Sequence, residues 1–152
     1  MERVLILDLN VIRYGLEDTS QEWSLACRVL LEAIVSGEWR IAWSHEVMGL
    51  YMTVLHDSPS VFPNLTSALR SAIYDGEKFI QVLQLIDIGD TVEAAIKDRP
   101  DLPFVRLAAT VDDGCILATT DEPLRTSVAA LGLPARYKFH ISDPVIAVGQ
   151  LG

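Results

Sequence analysis

An unbroken apolar run, Val4 to Leu7, opens the chain and ends at the carboxylate of Asp8. A short aliphatic run of this kind predicts a strand buried on both faces, as in a parallel sheet covered by helices. A second run, Cys115 to Ala118, is followed three residues later by Asp121, which repeats the placement of Asp8. Ligands of open α/β sheets bind at the carboxyl ends of strands, so both carboxylates are expected to lie where a ligand would bind.

In the rest of the chain, segments with the apolar spacing of a helix alternate with short apolar segments typical of strands. Helices are predicted over residues 22–35, 46–55, 65–74, 102–109 and 123–131 and from Pro144 onward, with caps available at Asp18-Thr19-Ser20 and Ser44. Further strands are predicted over 39–43 and 138–141. Residues 79–88 fit neither period, and we favour the end of a helix passing into a short strand near Leu85 and Ile86.

The alternation of strands and helices predicts an α/β fold with a parallel sheet. No repeat, low-complexity tract or linker divides the chain, so residues 1–152 are expected to form one domain. Hydrophobic residues make up 50% of the sequence and charged residues 22%, which argues against a disordered chain. A domain of this length can bury most of its apolar surface without disulfides.

The net charge is −9, from 21 acidic and 12 basic residues. A protein that binds phosphate backbones by general electrostatics should be basic. Three alternatives follow: nucleic acid is approached through bound divalent cations and a local patch, a basic partner covers the acidic surface, or nucleic acid is not the ligand. Cys27 and Cys115 lie in apolar contexts and are expected to be reduced, buried thiols. With no targeting or membrane-spanning pattern, we expect a soluble, cytoplasmic protein.

Three carboxylates are candidates for a shared site. Asp8 and Asp121 follow strands, and Asp101 follows a turn at a helix start, so a doubly wound sheet would bring all three to one edge. Clustered carboxylates repel unless a cation joins them, and hard oxygen ligands suit Mg²⁺ or Mn²⁺. Helix capping is the alternative for Asp101 and Asp121, because Asp is a favoured N-cap residue.

Other kinds of site lack support in the sequence. The three histidines are dispersed, so neither a zinc triad nor a nucleophile–base pair is indicated. No G-x-x-x-x-G-K-[ST] phosphate loop is present. Phosphatases with an aspartyl nucleophile need a second Asp two residues on, and Asn10 stands there.

Five segments of the chain resemble the PIN-domain family of small ribonucleases, which includes many toxins of toxin–antitoxin pairs. They are VLILDLNVIRYGL, an S-x-E-V-M-x-x-Y helix, DRPDLPFVRLAA, CILATTDEPL and FHISDPVIA. The resemblance spans nearly the whole chain, and its first and fourth segments are the specific ones. It implies a PIN-like three-layer α/β/α sandwich with a central, mostly parallel sheet.

The resemblance also assigns roles to individual residues. It implies that Asp8, Asp101 and Asp121 belong to the family's acidic metal site, which takes Mg²⁺ or Mn²⁺. It implies that Asn10 in D-x-N and Thr119 in T-x-D orient the site. Ser44, which closes the second strand, is a further candidate for an orienting role.

One position departs from the family pattern. The residue before Tyr51 is usually Glu and is Leu50 here, and an apolar side chain cannot ligate a hard cation. Glu46 lies one helical turn earlier on the same face and is a candidate substitute ligand. The alternative for Glu46 is an exposed acid in the first turn, favoured by the helix dipole.

We therefore expect a metal-dependent endoribonuclease that cleaves single-stranded RNA by a metal-activated water. The resemblance makes an antitoxin protein and a homodimer the expected protein partners. The competing interpretation is a PIN-like domain that lost catalysis through Leu50 and serves as a binding or assembly module. The negative net charge and the missing acid favour that alternative, whereas the three remaining acids favour the enzyme.

Overall fold

A single five-stranded sheet organises the protein, which we describe from a computed structural model that covers residues 3–17, 22–57, 61–96, 99–111 and 114–151. The strands are β1 (Val4–Leu7), β2 (Arg40–Ser44), β3 (Phe79–Val82), β4 (Ile116–Ala118) and β5 (His140–Ser142). Their order is β3-β2-β1-β4-β5, and all neighbouring strands are parallel. The predicted parallel sheet is confirmed.

Helices cover both faces of this sheet. They are α1 (Leu9–Gly15), α2 (Glu22–Ser36), α3 (His45–Asp57), α4 (Pro63–Tyr74), α5 (Asp90–Ala95), α6 (Leu102–Val111), α7 (Glu122–Ala130), α8 (Leu133–Tyr137) and α9 (Pro144–Leu151). One layer contains α1, α4 and α9, each packed on α2. In the other, α6 lies against β1, β2 and β4 and contacts α8, which contacts α7. The arrangement is the expected three-layer α/β/α sandwich.

The core is centred on β1, whose four residues are all buried. A strand in the middle of a parallel sheet meets helices on both faces, which is why its sequence is uniformly aliphatic. Cys27 and Cys115 form no disulfide within the described residues and are buried in the same core, as expected. Among the described residues, no helix has both the length and the apolar character needed to cross a bilayer.

The prediction for residues 79–88 was wrong. Phe79–Val82 is a strand, and no regular element covers 83–89. This strand, β3, lies at the edge of the sheet and pairs with β2, with Ile80 opposite Ala42. Because it is an edge strand, its side chains are only partly buried and lack the uniformly apolar pattern of a central strand. The helices α1, α5 and α8 were not predicted. The predicted caps at 18–20 lie outside the described residues.

The order of the strands places a topological switch point between β1 and β4. From β1 the chain crosses to β2 on one side, whereas from β4 it crosses to β5 on the other. With right-handed crossovers, the helices that follow β1 and β4 leave toward opposite faces of the sheet. Such a topological switch point opens a crevice at the carboxyl ends of the two strands, and ligands of this fold class bind there.

Candidate metal site at the carboxyl edge of the sheet

Buried polar side chains collect where the strands end. Asp8 follows β1, Ser44 ends β2, Thr119 follows β4 and Ser142 ends β5, and each of the four is almost entirely buried. Buried polar groups cost free energy unless they are hydrogen-bonded, so their concentration at one edge needs a structural or functional reason. Asp8 and Thr119 flank the crevice at the switch point.

Thr119 links the two strand-end acids. Its hydroxyl donates to Oδ2 of Asp8 at 2.7 Å and accepts from the backbone N–H of Asp121 at 3.1 Å. The backbone continues the ladder between the same strands, because the Asp8 N–H donates to the Ala118 carbonyl at 3.0 Å. The prediction that Asp8 and Asp121 lie at one edge is therefore confirmed, and Thr119 is the group between them.

Asp121 is also the N-cap of α7. Its Oδ1 accepts from the Leu124 backbone N–H at 3.0 Å, so the capping role anticipated for Asp121 is confirmed. Only one carboxylate oxygen is used in this way. The other has no hydrogen-bond partner among the described residues and is free to contact a ligand.

The Asp8 carboxyl has a raised pKa. Burial is the main cause, and the negative charge of Asp121 adds to it. The Thr119 hydrogen bond and the backbone amides of Asn10 and Leu9 oppose the rise. No Lys or Arg in the described part of the chain forms an ion pair with Asp8. Two neighbouring carboxylates without a cation form a site where a bound cation would relieve both burial and repulsion.

Tyr51 and Cys27 lie in the core near enough to Asp8 to feel its charge. The Tyr51 hydroxyl donates to the Leu7 carbonyl at 2.7 Å and accepts from the Leu7 N–H at 3.1 Å. Burial raises the pKa of Tyr51 and raises that of Cys27 to about 12, and the Asp8 charge adds slightly to both. A thiol with so high a pKa is not a nucleophile at neutral pH.

The remaining predicted site residues occupy different surroundings. Asn10 is half-buried in the first turn of α1, and Ser44 caps α3 by accepting from the Val47 N–H at 3.3 Å. Glu46 is exposed in the first turn of α3. Asp101 is buried at the end of a 3-10 turn, Arg99–Asp101, directly before α6. The hydrogen bonds that join Asp8 to Asp121 through Thr119 include neither Asp101 nor Glu46.

The donor set tests whether a metal ion fits the site. Asp8 and Asp121 supply carboxylate oxygens beside the Thr119 hydroxyl, and these hard ligands suit Mg²⁺ or Mn²⁺. Within the described residues, no three His, Cys, Asp or Glu side chains are grouped to hold a metal. The arrangement therefore offers two protein carboxylates, and the other coordination positions would be filled by water and substrate, as is usual for Mg²⁺.

Two residues with direct contacts at this edge were not among the predicted site residues. Arg125 on α7 donates from Nη1 to the Thr119 carbonyl at 2.7 Å. The Tyr51 hydroxyl on α3 bonds both backbone groups of Leu7. A sequence signal for Arg125 does exist, because it stands four residues after Asp121 and therefore one helical turn into α7.

Comparison with known protein families and with curated proteins finds no match for this chain.

Proposed function

We propose that this chain is a Mg²⁺- or Mn²⁺-dependent endoribonuclease of the PIN type that cleaves single-stranded RNA. The observation that carries the proposal is the Asp8–Thr119–Asp121 arrangement at the switch point of a parallel sheet. Two carboxylates from segments far apart in sequence share one hydroxyl there, and no cation of the described chain pairs with Asp8. This is the arrangement expected of a site that binds a divalent cation.

In this proposal Asp8 and Asp121 hold the metal, which when bound supplies an activated water and neutralises charge on the scissile phosphate. Thr119 holds Asp8 in a fixed direction through its 2.7 Å hydrogen bond. Asp121 presents one oxygen while α7 holds the other. Asp101 and Glu46 are proposed as outer carboxylates, and Asn10 and Ser44 as orienting groups.

Because the chain carries a net charge of −9, the proposal requires RNA to approach through bound divalent cations rather than through a generally basic surface. We extend the proposal to the partners that the PIN resemblance implies. These are an antitoxin protein, which would make this chain the toxin of a toxin–antitoxin pair, and a second copy of the chain in a homodimer. The proposal places the protein in the cytoplasm, where such a pair acts.

A specific observation favours a second candidate function, a binding or assembly module. Leu50 stands where the PIN pattern has Glu, and it packs partly buried against the core. It offers no ligand atom, and Glu46 one turn earlier is exposed. In this alternative the acid pair has a structural role, since Asp8 accepts the Thr119 hydrogen bond and Asp121 caps α7.

RNA cleavage with Mn²⁺ tests the enzyme proposal. We expect the wild type to cut a mixed-sequence single-stranded RNA, and Asp8→Asn and Asp121→Asn to lose about a hundredfold or more of the rate. Asn keeps the shape and the capping ability of Asp, so the charge alone is removed. Asp143→Asn is the matched control, because Asp143 caps α9 through the Ile146 N–H at 2.9 Å. Cleavage that survives Asp8→Asn would contradict the proposal.

Leu50→Glu separates the two candidate functions. If the wild type is an enzyme, restoring the acid leaves cleavage intact or increases it. An inactive wild type combined with an active Leu50→Glu variant would identify a degenerate enzyme and support the binding module. A gene for a small protein of antitoxin size beside this one would support the toxin assignment, and the lack of one would count against it.

A further inference from the structure

Arg125 reaches back from α7 to the end of β4. Its Nη1 donates to the Thr119 carbonyl at 2.7 Å, and the side chain is partly buried. The Thr119 N–H donates to β5, so its carbonyl faces the same side, just beyond the last β4–β5 pair, Ala118 with Ser142. The residue that would continue the ladder there is Pro144, which has no N–H to donate. A buried backbone carbonyl without a partner is costly, and Arg125 supplies the bond.

Hydrogen bonds hold the backbone N–H, the backbone carbonyl and the side-chain hydroxyl of Thr119. Its N–H donates to the Ser142 carbonyl at 3.0 Å, and its hydroxyl joins Asp8 and the Asp121 N–H. Arg125 completes this set, and the side chain of Thr119 is fully buried. The direction of the hydroxyl therefore depends on a backbone that Arg125 helps to hold.

The contacts close a ring through the start of α7. Asp121 accepts from the Leu124 N–H, Arg125 follows Leu124 in the helix, and Arg125 returns to Thr119. No ion pair joins Arg125 to Asp8 or Asp121 among the described residues. Arg125 is thus connected to the acids through Thr119 and not by a direct charge contact.

We propose that Arg125 is a positioning residue of this site: by holding the Thr119 carbonyl, it sets the direction of the Thr119 hydroxyl and the placement of both acids. The structural part of this proposal stands on the hydrogen bonds alone. The kinetic part rests on the proposed ribonuclease function. Removing the guanidinium should leave the fold intact and loosen the mutual geometry of the two carboxylates.

Hydrogen exchange followed by NMR tests the structural part. In Arg125→Met, the Asp121 backbone N–H is expected to exchange about tenfold faster than in the wild type, because its acceptor is less well held. Arg106→Met is the matched control. The Arg106 guanidinium also bonds a backbone carbonyl, that of Ile86, at 3.2 Å, yet it has no contact with Thr119. Unchanged exchange in Arg125→Met, or equal acceleration in Arg106→Met, would overturn the proposal.

Steady-state RNA cleavage with Mn²⁺ tests the kinetic part. Arg125→Met is expected to lower kcat about tenfold and to change KM less than about twofold. Arg125→Lys should recover part of the loss, because a lysine keeps one donor for the carbonyl. A loss confined to KM would assign Arg125 to substrate binding instead, and a Lys variant as impaired as Met would also count against positioning. If the wild type cleaves no RNA, the proposed function fails, while the exchange measurement still decides the role of Arg125.

Discussion

The Thr119 hydroxyl donates a 2.7 Å hydrogen bond to the Asp8 carboxylate, although the two residues are 111 positions apart in the chain. The bond crosses the switch point of the sheet, from the end of β4 to the end of β1. A hydrogen bond to a charged group is stronger than one between neutral groups. This contact therefore gives the candidate site a fixed geometry before any ligand arrives.

Thr119→Val should destabilise the fold by about 2 kcal/mol, because it leaves a buried carboxylate without its side-chain donor and the Asp121 N–H without its acceptor. Valine keeps the shape of threonine, so packing changes little. Urea unfolding at neutral pH measures the difference. The control is Thr126→Val, which removes an exposed hydroxyl from the same face of the fold and should change stability by less than about 0.5 kcal/mol. Equal effects of the two substitutions would refute the importance of the Thr119 bond.

The raised pKa of Asp8 predicts how Asp8→Asn depends on pH. The folded state holds the Asp8 proton more tightly than the unfolded state, where the ordinary value is 3.8. Ionisation of Asp8 therefore costs stability once the pH rises above 3.8, and the cost is complete above the folded pKa. Asparagine avoids this cost and can still accept the Thr119 hydrogen bond.

We expect the stability of Asp8→Asn relative to the wild type to increase from pH 3 to pH 7. Urea unfolding at a series of pH values, with EDTA present, measures the difference, in which the other titrating groups cancel. A difference that is flat or that falls with pH would show that Asp8 is not disfavoured as an anion in the fold.

Tyr51→Phe should destabilise the protein by about 2 kcal/mol, because the Tyr51 hydroxyl satisfies both the N–H and the carbonyl of Leu7. The pairing of β1 with β2 ends at Leu5 and Ile41. Leu7 lies beyond that pair, and the Tyr51 hydroxyl takes the place of a β2 residue in bonding its backbone. Tyr74→Phe is the control, since Tyr74 is exposed and should tolerate the change. Thermal or urea unfolding of the two variants distinguishes them, and similar midpoints would contradict the prediction.

Mn²⁺ should raise the thermal stability of the wild type. A ligand that binds only the folded state adds about 2.7 kcal/mol at a concentration one hundred times its Kd. We expect this gain to vanish in Asp8→Asn and in Asp121→Asn and to persist in Asp143→Asn. EDTA should reverse it. Equal stabilisation of all four proteins by Mn²⁺ would place the metal elsewhere.

The local patterns of the sequence predicted much of this fold. The aliphatic runs predicted β1 and β4, because a strand buried on both faces has an unbroken apolar sequence. Helical spacing predicted α2, α3, α4 and α6, because a helix buried on one face has apolar residues at a regular period. Edge strand β3 was missed because its side chains are only partly buried. The same local reasoning placed Asp8 and Asp121 at strand ends, and hence at one edge.

The tertiary structure decided which groups meet at that edge. Thr119 was a candidate from its motif, but its contact with Asp8 depends on β1 lying beside β4. Tyr51 and Arg125 bond backbone atoms, and although the spacing places Arg125 one turn after Asp121, no motif specifies which backbone acceptor a side chain will contact. The sequence by itself therefore determined the fold class and the acids. Only the packed sheet determined that Thr119 joins the two acids and that Tyr51 bonds the Leu7 backbone beside Asp8, because those bonds join segments that pairing of the strands brings together.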